Sequence, residues 1–422
     1  MSHLIYNAAW RAARPFVKRR IARDESTRPM CDRFHPALPE TLPNPVWVQA
    51  CSVGEVNTAL PLLAALQDIH GERGVLLTSS TVTGYARAGS AYRGPSAWFP
   101  FDHPASVRRF IDALNPRALV LVETELWPNV LRECERRGIP ILVANARLSD
   151  KHYARYLRWC SLARPMFSAL TAVGAQSETY AERFLQMGAA KPGVRVTGNL
   201  KYDAAPTALP TTQQRQRIRA SCGIPEQATL LVFGSTRPGD EVLASACWST
   251  LREELPGLHL VIAPRHVDRA DEIAACFGEP VLRRSALQSG AVPSGERVLL
   301  LDTLGELNAF YAVASLAVVG GSFYPGVEGH NPLEPAGLGV PPVFGPHMGN
   351  FIEPAATLVA ADAAVQVACP EDLYGALSGL LRDTAELRQR GTRARRVVLD
   401  HQGAVARNVA LLGECLERVA PG

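Results

Sequence analysis

Nowhere in the 422 residues does an apolar run approach the ~18 residues that a membrane-crossing helix requires, so the sequence offers no span. It also has no Cys-x-x-Cys. Its nine cysteines are scattered at positions 31, 51, 134, 160, 222, 247, 276, 369 and 415, with no nearby His pair. An odd, unpatterned set argues against structural zinc and points to a reducing compartment, with most of these thiols in the core. Charge of one sign is scarce as well. A net charge of +4 is too small to imply nucleic acid, and the aromatics are not interleaved with basic runs, so no nucleic-acid partner is expected. Apolar residues are plentiful. At 47% they suffice for two cores, and two domains of roughly 200 residues are the natural prior at this length.

The charge that is present is unevenly placed. Before Asp24 there are six basic residues, Arg11, Arg14, Lys18, Arg19, Arg20 and Arg23, mixed with Leu4, Ile5, Trp10, Phe16, Val17 and Ile21, and no acid. A helix here, interrupted or kinked at Pro15, would either lie along an anionic membrane surface with Trp10 and Phe16 inserted, or be a solvated basic tail docked on the domain. It is too charged for a signal-peptide core. A polar, Pro-rich spacer follows up to Pro45.

Short apolar runs then alternate with helical patterns: 46–50, 75–77, 98–101, 118–122, 139–144, 169–173 and 194–196, and after a Pro/Ala/Thr-rich break, 230–233, 258–263, 298–301, 316–319 and 342–344. Such alternation predicts α/β domains with parallel sheets covered on both faces. The expected organisation is a basic helix and spacer at 1–45, a first domain at 46–202, a linker at 203–214, a second domain at 215–395 and a terminal helical segment at 396–422 able to pack back on the first domain.

Ligands of such sheets bind beyond the carboxyl ends of the strands, so the residues after each run are the candidates. In the first half these include Ser52, Gly54 and Glu55, then Ser80 and Thr81, Glu123 and Glu125, Arg147, and Lys201. Ser52 and Glu55 fit a Ser-x-x-Glu capping box, and Glu55 is equally suited to be a general base with Gly54 leaving clearance for a substrate; the residues alone leave the two readings balanced. Glu123 and Glu125 share a face of an extended segment and could bind one cation, or accept hydrogen bonds from Arg147 or substrate hydroxyls. With no other carboxylate cluster evident, the metal-free reading is favoured.

The second half centres on residues 320–351. Asn331-Pro-Leu-Glu334 reads as a helix start after a glycine turn, able to present the backbone at Asn331 and Leu333 to a phosphate and Glu334 to ribose hydroxyls. Asn331 and Glu334 merely capping each other is the bland alternative, which does not account for two further glycine or proline turns within twenty residues. Gly234, Ser235, Thr236 and Arg237 form a second turn suited to phosphate, Pro264 and Arg265 a third, and Gly305 and Glu306 a fourth.

Taken together, Ser52-Val-Gly-Glu55, Glu123-Thr-Glu-Leu-Trp-Pro-Asn129, Asn145-Ala-Arg-Leu-Ser149, Gly198-Asn-Leu-Lys201, Pro264-Arg-His266 and His330-Asn-Pro-Leu-Glu-Pro335 resemble the Kdo transferases, family 30 glycosyltransferases that move 3-deoxy-D-manno-octulosonic acid from CMP-Kdo to a lipid A precursor. The resemblance runs from Val46 to about Arg395. It implies a GT-B fold, two Rossmann-like domains facing a cleft, with acceptor on the first and nucleotide on the second. It implies an inverting, metal-independent reaction with no cofactor beyond the donor CMP-Kdo, and Glu55 matches the family's general base. It also favours the membrane reading of the N-terminal helix, placing the protein at the cytoplasmic face of the inner membrane with lipid IVA as acceptor. Glu328 departs from the family, standing where a glycine is usual, and the spacer matches poorly. The competing expectations are another GT-B enzyme using a UDP-sugar, as transferase or epimerase, and a catalytically silent lipid-binding module.

Overall fold

A computed structural model describes residues 2–39, 42 and 44–419. The chain forms two compact units, residues 1–204 with 401–422, and residues 205–400. The first boundary falls just past the helix Leu200–Asp203. Asp203, expected to open a linker, instead closes that helix, and its carboxylate accepts the backbone N–H groups of Gly403 and Val405 at 2.7 and 3.0 Å. The expected linker's far end is likewise structured: Thr211 and Gln214 form a reciprocal capping box for the helix Thr212–Ala220.

The first unit holds a sheet of β1 (Val46–Gln49), β2 (Val75–Ser79), β3 (Ser96–Trp98), β4 (Ala118–Val122), β5 (Ile141–Ala146), β6 (Ala172–Ala175) and β7 (Val194–Val196) in the order β3-β2-β1-β4-β5-β6-β7. Every pairing is parallel. β1, β2 and β4 are buried along their whole length, as continuous apolar runs covered on both faces must be. One face packs Trp47, Phe110, Phe167 and Phe184 into a core, the other Val48, Leu63, Leu77 and Val120. The closing helix Ala404–Val419 contributes Leu411, Leu412 and Cys415 to that second core.

The N-terminal segment is one helix, Ser2–Arg23, running through Pro15. Its Trp10 is not held outward for a membrane: the ring lies 5.8 Å from Phe101 and its Nε1–H donates to Tyr6 Oη at 3.1 Å. Burying one aromatic face against Phe101 while satisfying the indole N–H outweighs exposing it. Phe16 remains 75% exposed. The spacer is also less independent than its composition suggests, since Arg33 and Phe34 in the 3₁₀ turn Arg28–Phe34 are buried.

The second unit's sheet comprises β8 (Thr229–Thr236), β9 (Leu258–Pro264), β10 (Val281–Arg283), β11 (Val298–Leu300), β12 (Leu316–Val319), β13 (Pro342–Phe344) and β14 (Val365–Gln366), ordered β10-β11-β9-β8-β12-β13-β14. It too is wholly parallel. The strand order reverses between β1 and β4 in the first sheet and between β8 and β12 in the second, where β11 also comes back to lie between β9 and β10. Two strands whose following helices leave to opposite faces open a crevice between their carboxyl ends, and ligands of such sheets bind there.

Candidate functional site

At the crevice of the first sheet, β1 and β4 deliver Cys51, Glu55 and Glu125, each offering a donor atom within 4.8 Å of the others. The turn after β1 is fixed from β2: the hydroxyls of Ser79 and Thr81 both donate to the carbonyl of Cys51, at 2.8 and 2.9 Å. Ser52 then caps the helix Val53–His70 by accepting the N–H of Glu55. The Glu55 carboxylate answers with two hydrogen bonds, accepting the Cys51 N–H at 2.8 Å and the Ser52 hydroxyl at 3.0 Å. The cap is therefore real. Capping does not neutralise the group, however: burial first, then the negative charges of Glu125 and Glu123, push its pKa up to about 8 against the opposing pull of Cys51 N–H and Ser52. A carboxyl poised there can exchange a proton near neutrality. Gly54 is exposed, with only Ser52 Oγ, at 3.8 Å, near the place a Cβ would take.

Glu125 accepts the Trp127 indole N–H at 3.1 Å, and burial raises its pKa too. The same burial pushes the Cys51 thiol up to about 12. Glu125 thus meets Glu55 and Cys51 rather than acting with Glu123. Glu123 itself sits at φ +61°, a left-handed turn that breaks the extended geometry on which a shared face depended. Arg147 touches the same segment through its backbone, its carbonyl accepting the Thr124 hydroxyl.

Two expected acceptor residues are used inside the fold. Ser80 is buried, its hydroxyl accepting the Gln49 amide at 2.8 Å, and Thr81 caps the helix Val82–Ala91 by accepting Gly84 N–H. Lys201 lies in the short helix Leu200–Asp203, whose cap Asn199 accepts its backbone N–H at 3.1 Å.

Sequence reasoning passed over Arg33 and Asp102. The guanidinium of Arg33 donates to the carbonyls of Phe99 and Ser80, both at 2.9 Å, and stacks 4.2 Å from the Phe101 ring centre. Burial lowers its pKa to about 10, partly offset by Cys51, Glu125 and Asp102. It is the buried cation behind the carboxyl cluster. Asp102 accepts the N–H groups of Asn129 and Val130 at 3.0 and 2.9 Å and the Tyr6 hydroxyl at 2.9 Å. It caps the helix Pro128–Arg136, whose own N-cap residue, Trp127, makes no side-chain cap. The string Phe99-Pro-Phe-Asp-His103 was a detectable signal for Asp102; Arg33 stood in a stretch with none.

In the second unit the crevice between β8 and β12 collects cations. Arg237 donates through Nε to His330 Nε2 at 3.3 Å and its Nη1 lies 2.8 Å from His266 Nε2. Burial, then Arg237 and Arg265, hold His330 down to about 4, leaving it neutral at pH 7. Arg265 is exposed, its N–H donated to the Thr236 carbonyl at 3.0 Å, while Pro264 ends β9 buried. Such a cluster is matched to a phosphate or carboxylate guest.

Several details differ from the expected phosphate turns. Gly234, Ser235 and Thr236 continue β8, and the helix begins only at Asp240. Ser235 turns the chain at φ +57°, and the turn's amide at Arg237 is taken by the Asp240 carboxylate at 2.9 Å, which also accepts Gly321 N–H at 2.7 Å. An internal carboxylate therefore occupies the place expected for an anion. The helix Leu333–Gly337 is a single short turn; Leu333 N–H is donated to Asn331 Oδ1 at 3.1 Å and is not free for phosphate. Glu334 sits 3.4 Å from Asn331 Nδ2, and burial raises its pKa. Glu306 turns from the expected nucleotide role into an ion pair with Arg284 at 2.8 Å, beside exposed Gly305 at φ +86°. Glu328 adopts φ +65°, which explains why glycine suits that position, and its carboxylate lies against Gly349.

Residues 18–204 match the family profile described as 3-deoxy-D-manno-octulosonic-acid transferase (kdotransferase). The chain is 36% identical over 396 residues to a 3-deoxy-D-manno-octulosonic acid transferase of Bordetella pertussis, covering 90% of this chain and 89% of that protein. It is 31% identical over 383 residues to the Haemophilus influenzae protein of the same name, covering 89% and 88%. Among solved structures, Acinetobacter baumannii MurG superposes with a TM-score of 0.57 at 15% identity, covering 88% of this chain and 100% of that one. That likeness is one of fold, the two-Rossmann-domain GT-B class.

Proposed function

The chain belongs to the 3-deoxy-D-manno-octulosonic acid transferases, and from that premise we propose that it moves Kdo from CMP-Kdo to a primary hydroxyl of the lipid A precursor lipid IVA, with inversion. Glu55 carries the reading, a half-buried carboxyl with its pKa near 8 at the strand-order reversal of the first sheet. As a carboxylate it takes the proton of the acceptor hydroxyl. The hydroxyl oxygen forms the new bond to the anomeric carbon of Kdo, and the bond to the CMP phosphate oxygen breaks with its electron pair leaving on CMP. Arg237 and Arg265 supply the positive surface that favours this departing charge, and neutral His330 orients Arg237. Arg237 and Arg265 take over the anchoring expected of the turn amides, since Asp240 holds the Arg237 N–H.

The reaction proceeds without a metal. Cys51, Glu55 and Glu125 could offer donors to one cation, but burial raises the pKa of each, which disfavours the deprotonated set an ion would need. The basic helix Ser2–Arg23, with Phe16 exposed, supports association with an anionic inner-membrane surface from the cytoplasmic side. Among the described residues no helix is long and apolar enough to cross a membrane.

Incubation with CMP-Kdo and lipid IVA, followed by mass spectrometry of the lipid, tests the reading directly; one or more Kdo increments are expected, in the presence of EDTA as well. Arg237→Ala is expected to weaken CMP binding by ~10-fold or more, the loss typical of a charge-assisted contact. Tighter binding of UDP than CMP, or a lipid mass unchanged after incubation, would overturn it.

A further inference from the structure

A cavity of about 670 Å³ opens in the first unit, away from the hydrogen bonds of the carboxyl cluster. Its walls come from the helices Pro128–Arg136, Asp150–Arg158 and Cys160–Ser168, and from Tyr6 of the N-terminal helix. Leu131, Tyr156, Trp159 and Met166 make it apolar, and Arg132 and Arg155 stand in the lining, with Glu135 the one carboxylate. The volume falls in the range of ligand sites, ~300–1,000 Å³.

The surroundings are unusual for a surface that faces water alone. No residue of the helix Asp150–Arg158 is buried, and Leu157, Trp159 and Leu162 are 45%, 58% and 44% exposed. Arg155 lies 5.8 Å from the centre of the Tyr156 ring, a cation beside an apolar wall. The cavity is also joined along the chain to the carboxyl cluster that holds the proposed base. Glu125 stands in the carboxyl cluster, its partner Trp127 begins the helix, and the next residue, Pro128, lines the cavity. Tyr156, also in the lining, is close enough for the charge of Glu125 to raise its pKa, behind the larger effect of burial.

We propose that this cavity takes one fatty acyl chain of the acceptor lipid, whose anionic head meets Arg132 and Arg155 and whose hydroxyl lies toward Glu55. The inference rests on the acceptor reading above and adds to it a subsite that reads the acyl chain. Apolar walls favour a methylene chain over a sugar or peptide backbone, whose polar groups would go unsatisfied there. The arginines select for a negative head. Flat adsorption to a bilayer needs no recess, and this face has one.

Dodecyl phosphate, used below its critical micelle concentration and titrated calorimetrically into the full-length protein, is the probe. Binding is expected, strengthening ~4-fold per methylene from octyl to dodecyl phosphate, the factor for burying one CH₂. Inorganic phosphate should give no comparable heat. Met166→Trp and Ala169→Phe fill the cavity from partly exposed positions and should each weaken dodecyl phosphate at least ~10-fold; thermal melting identifies any variant that has failed to fold, and the other then decides. Affinity independent of chain length, or filled and folded variants that bind like wild type, overturns the proposal.

A second arm separates the acceptor from bulk lipid. Phosphatidylglycerol vesicles should bind the filled variants as well as wild type, while the KM for lipid IVA rises. Vesicle binding that falls in step with dodecyl phosphate binding makes the occupant a bilayer lipid and overturns the acceptor assignment. If wild type binds dodecyl phosphate with the expected chain-length dependence yet transfers no Kdo, the result counts for the acyl-chain site and against the transferase reading, so the two failures are distinguishable.

Discussion

The carboxylate of Glu55 accepts the backbone N–H of Cys51 at 2.8 Å, closing a loop across the turn that ends β1. Cap and base are thus not alternatives here. The bond fixes where the carboxyl points, and its cost is small beside the burial that raises the pKa to about 8. A base must be held still to be useful, and a helix start on a strand end holds it with two hydrogen bonds.

Glu55→Gln should lower kcat for Kdo transfer by ~10²–10⁴, the usual contribution of a general base, and leave CMP affinity within twofold, about the scatter expected when no ligand contact is lost. Wild-type rate should climb with pH to a plateau above about 8, the pH at which the carboxyl has released its proton. Stability moves the other way. The folded pKa lies above the ordinary value of 4.5, so the folded protein keeps a proton that the unfolded chain gives up. Any stability from that proton is complete below 4.5 and is lost as pH rises through about 8. Glu55→Gln should therefore melt higher than wild type at pH 9 and show no such gain at pH 4. A transfer rate equal to wild type at every pH sinks the base assignment.

Glu125→Gln removes one of the charges that raise Glu55. The rising limb of the pH–rate profile should shift to lower pH by up to ~1 unit, since one unit corresponds to a differential interaction of ~1.4 kcal/mol, within reach of two carboxyls this close. A structural role alone would lower the rate without moving the limb, so the profile, measured at saturating CMP-Kdo, tells the two apart.

Much of this architecture was legible because parallel, doubly covered strands leave continuous apolar runs: β4, β7, β12 and β13 fall where the runs lie. Short edge strands such as β10 and β14 left no such run, and both were passed over. Glu55 was legible as a candidate, but its pKa was not, because burial and the approach of Glu125 arise only when β1 and β4 lie side by side. The same holds for failures. Glu306 looked available until Arg284, twenty-two positions earlier, reached it, and the turn amide at Arg237 looked free until Asp240 folded back. Charge placed by the sequence says which groups exist; who neutralises whom is decided by the fold.

Glu306 supplies its own test. Its carboxylate accepts from Arg284 and from the Thr303 hydroxyl, an arrangement that leaves little for a nucleotide. Glu306→Ala should cost about 1 kcal/mol of stability, as a partly exposed ion pair does, with CMP affinity unchanged by calorimetry. A tenfold loss of CMP affinity in a variant that melts like wild type would return Glu306 to the binding site.

Arg33 is the sharpest test of the claim that the Pro-rich stretch before β1 belongs to the first unit. Its guanidinium bonds two carbonyls, of Phe99 and Ser80, that follow β3 and β2, so it stitches together the strand ends beneath the carboxyl cluster. Arg33→Met keeps most of the side-chain volume and the contact with Phe101 while removing both donors. Leaving two buried carbonyls without partners should cost ~2–6 kcal/mol, at ~1–3 kcal/mol for each unsatisfied group. Arg33→Lys retains the charge but lacks the planar fork that serves two acceptors at once, and should fall between. Urea unfolding at pH 7 measures both. Because volume is nearly conserved, a loss in the methionine variant reports the hydrogen bonds and not a cavity; unfolding midpoints for both variants equal to wild type would show that the stretch before β1 contributes no such tie.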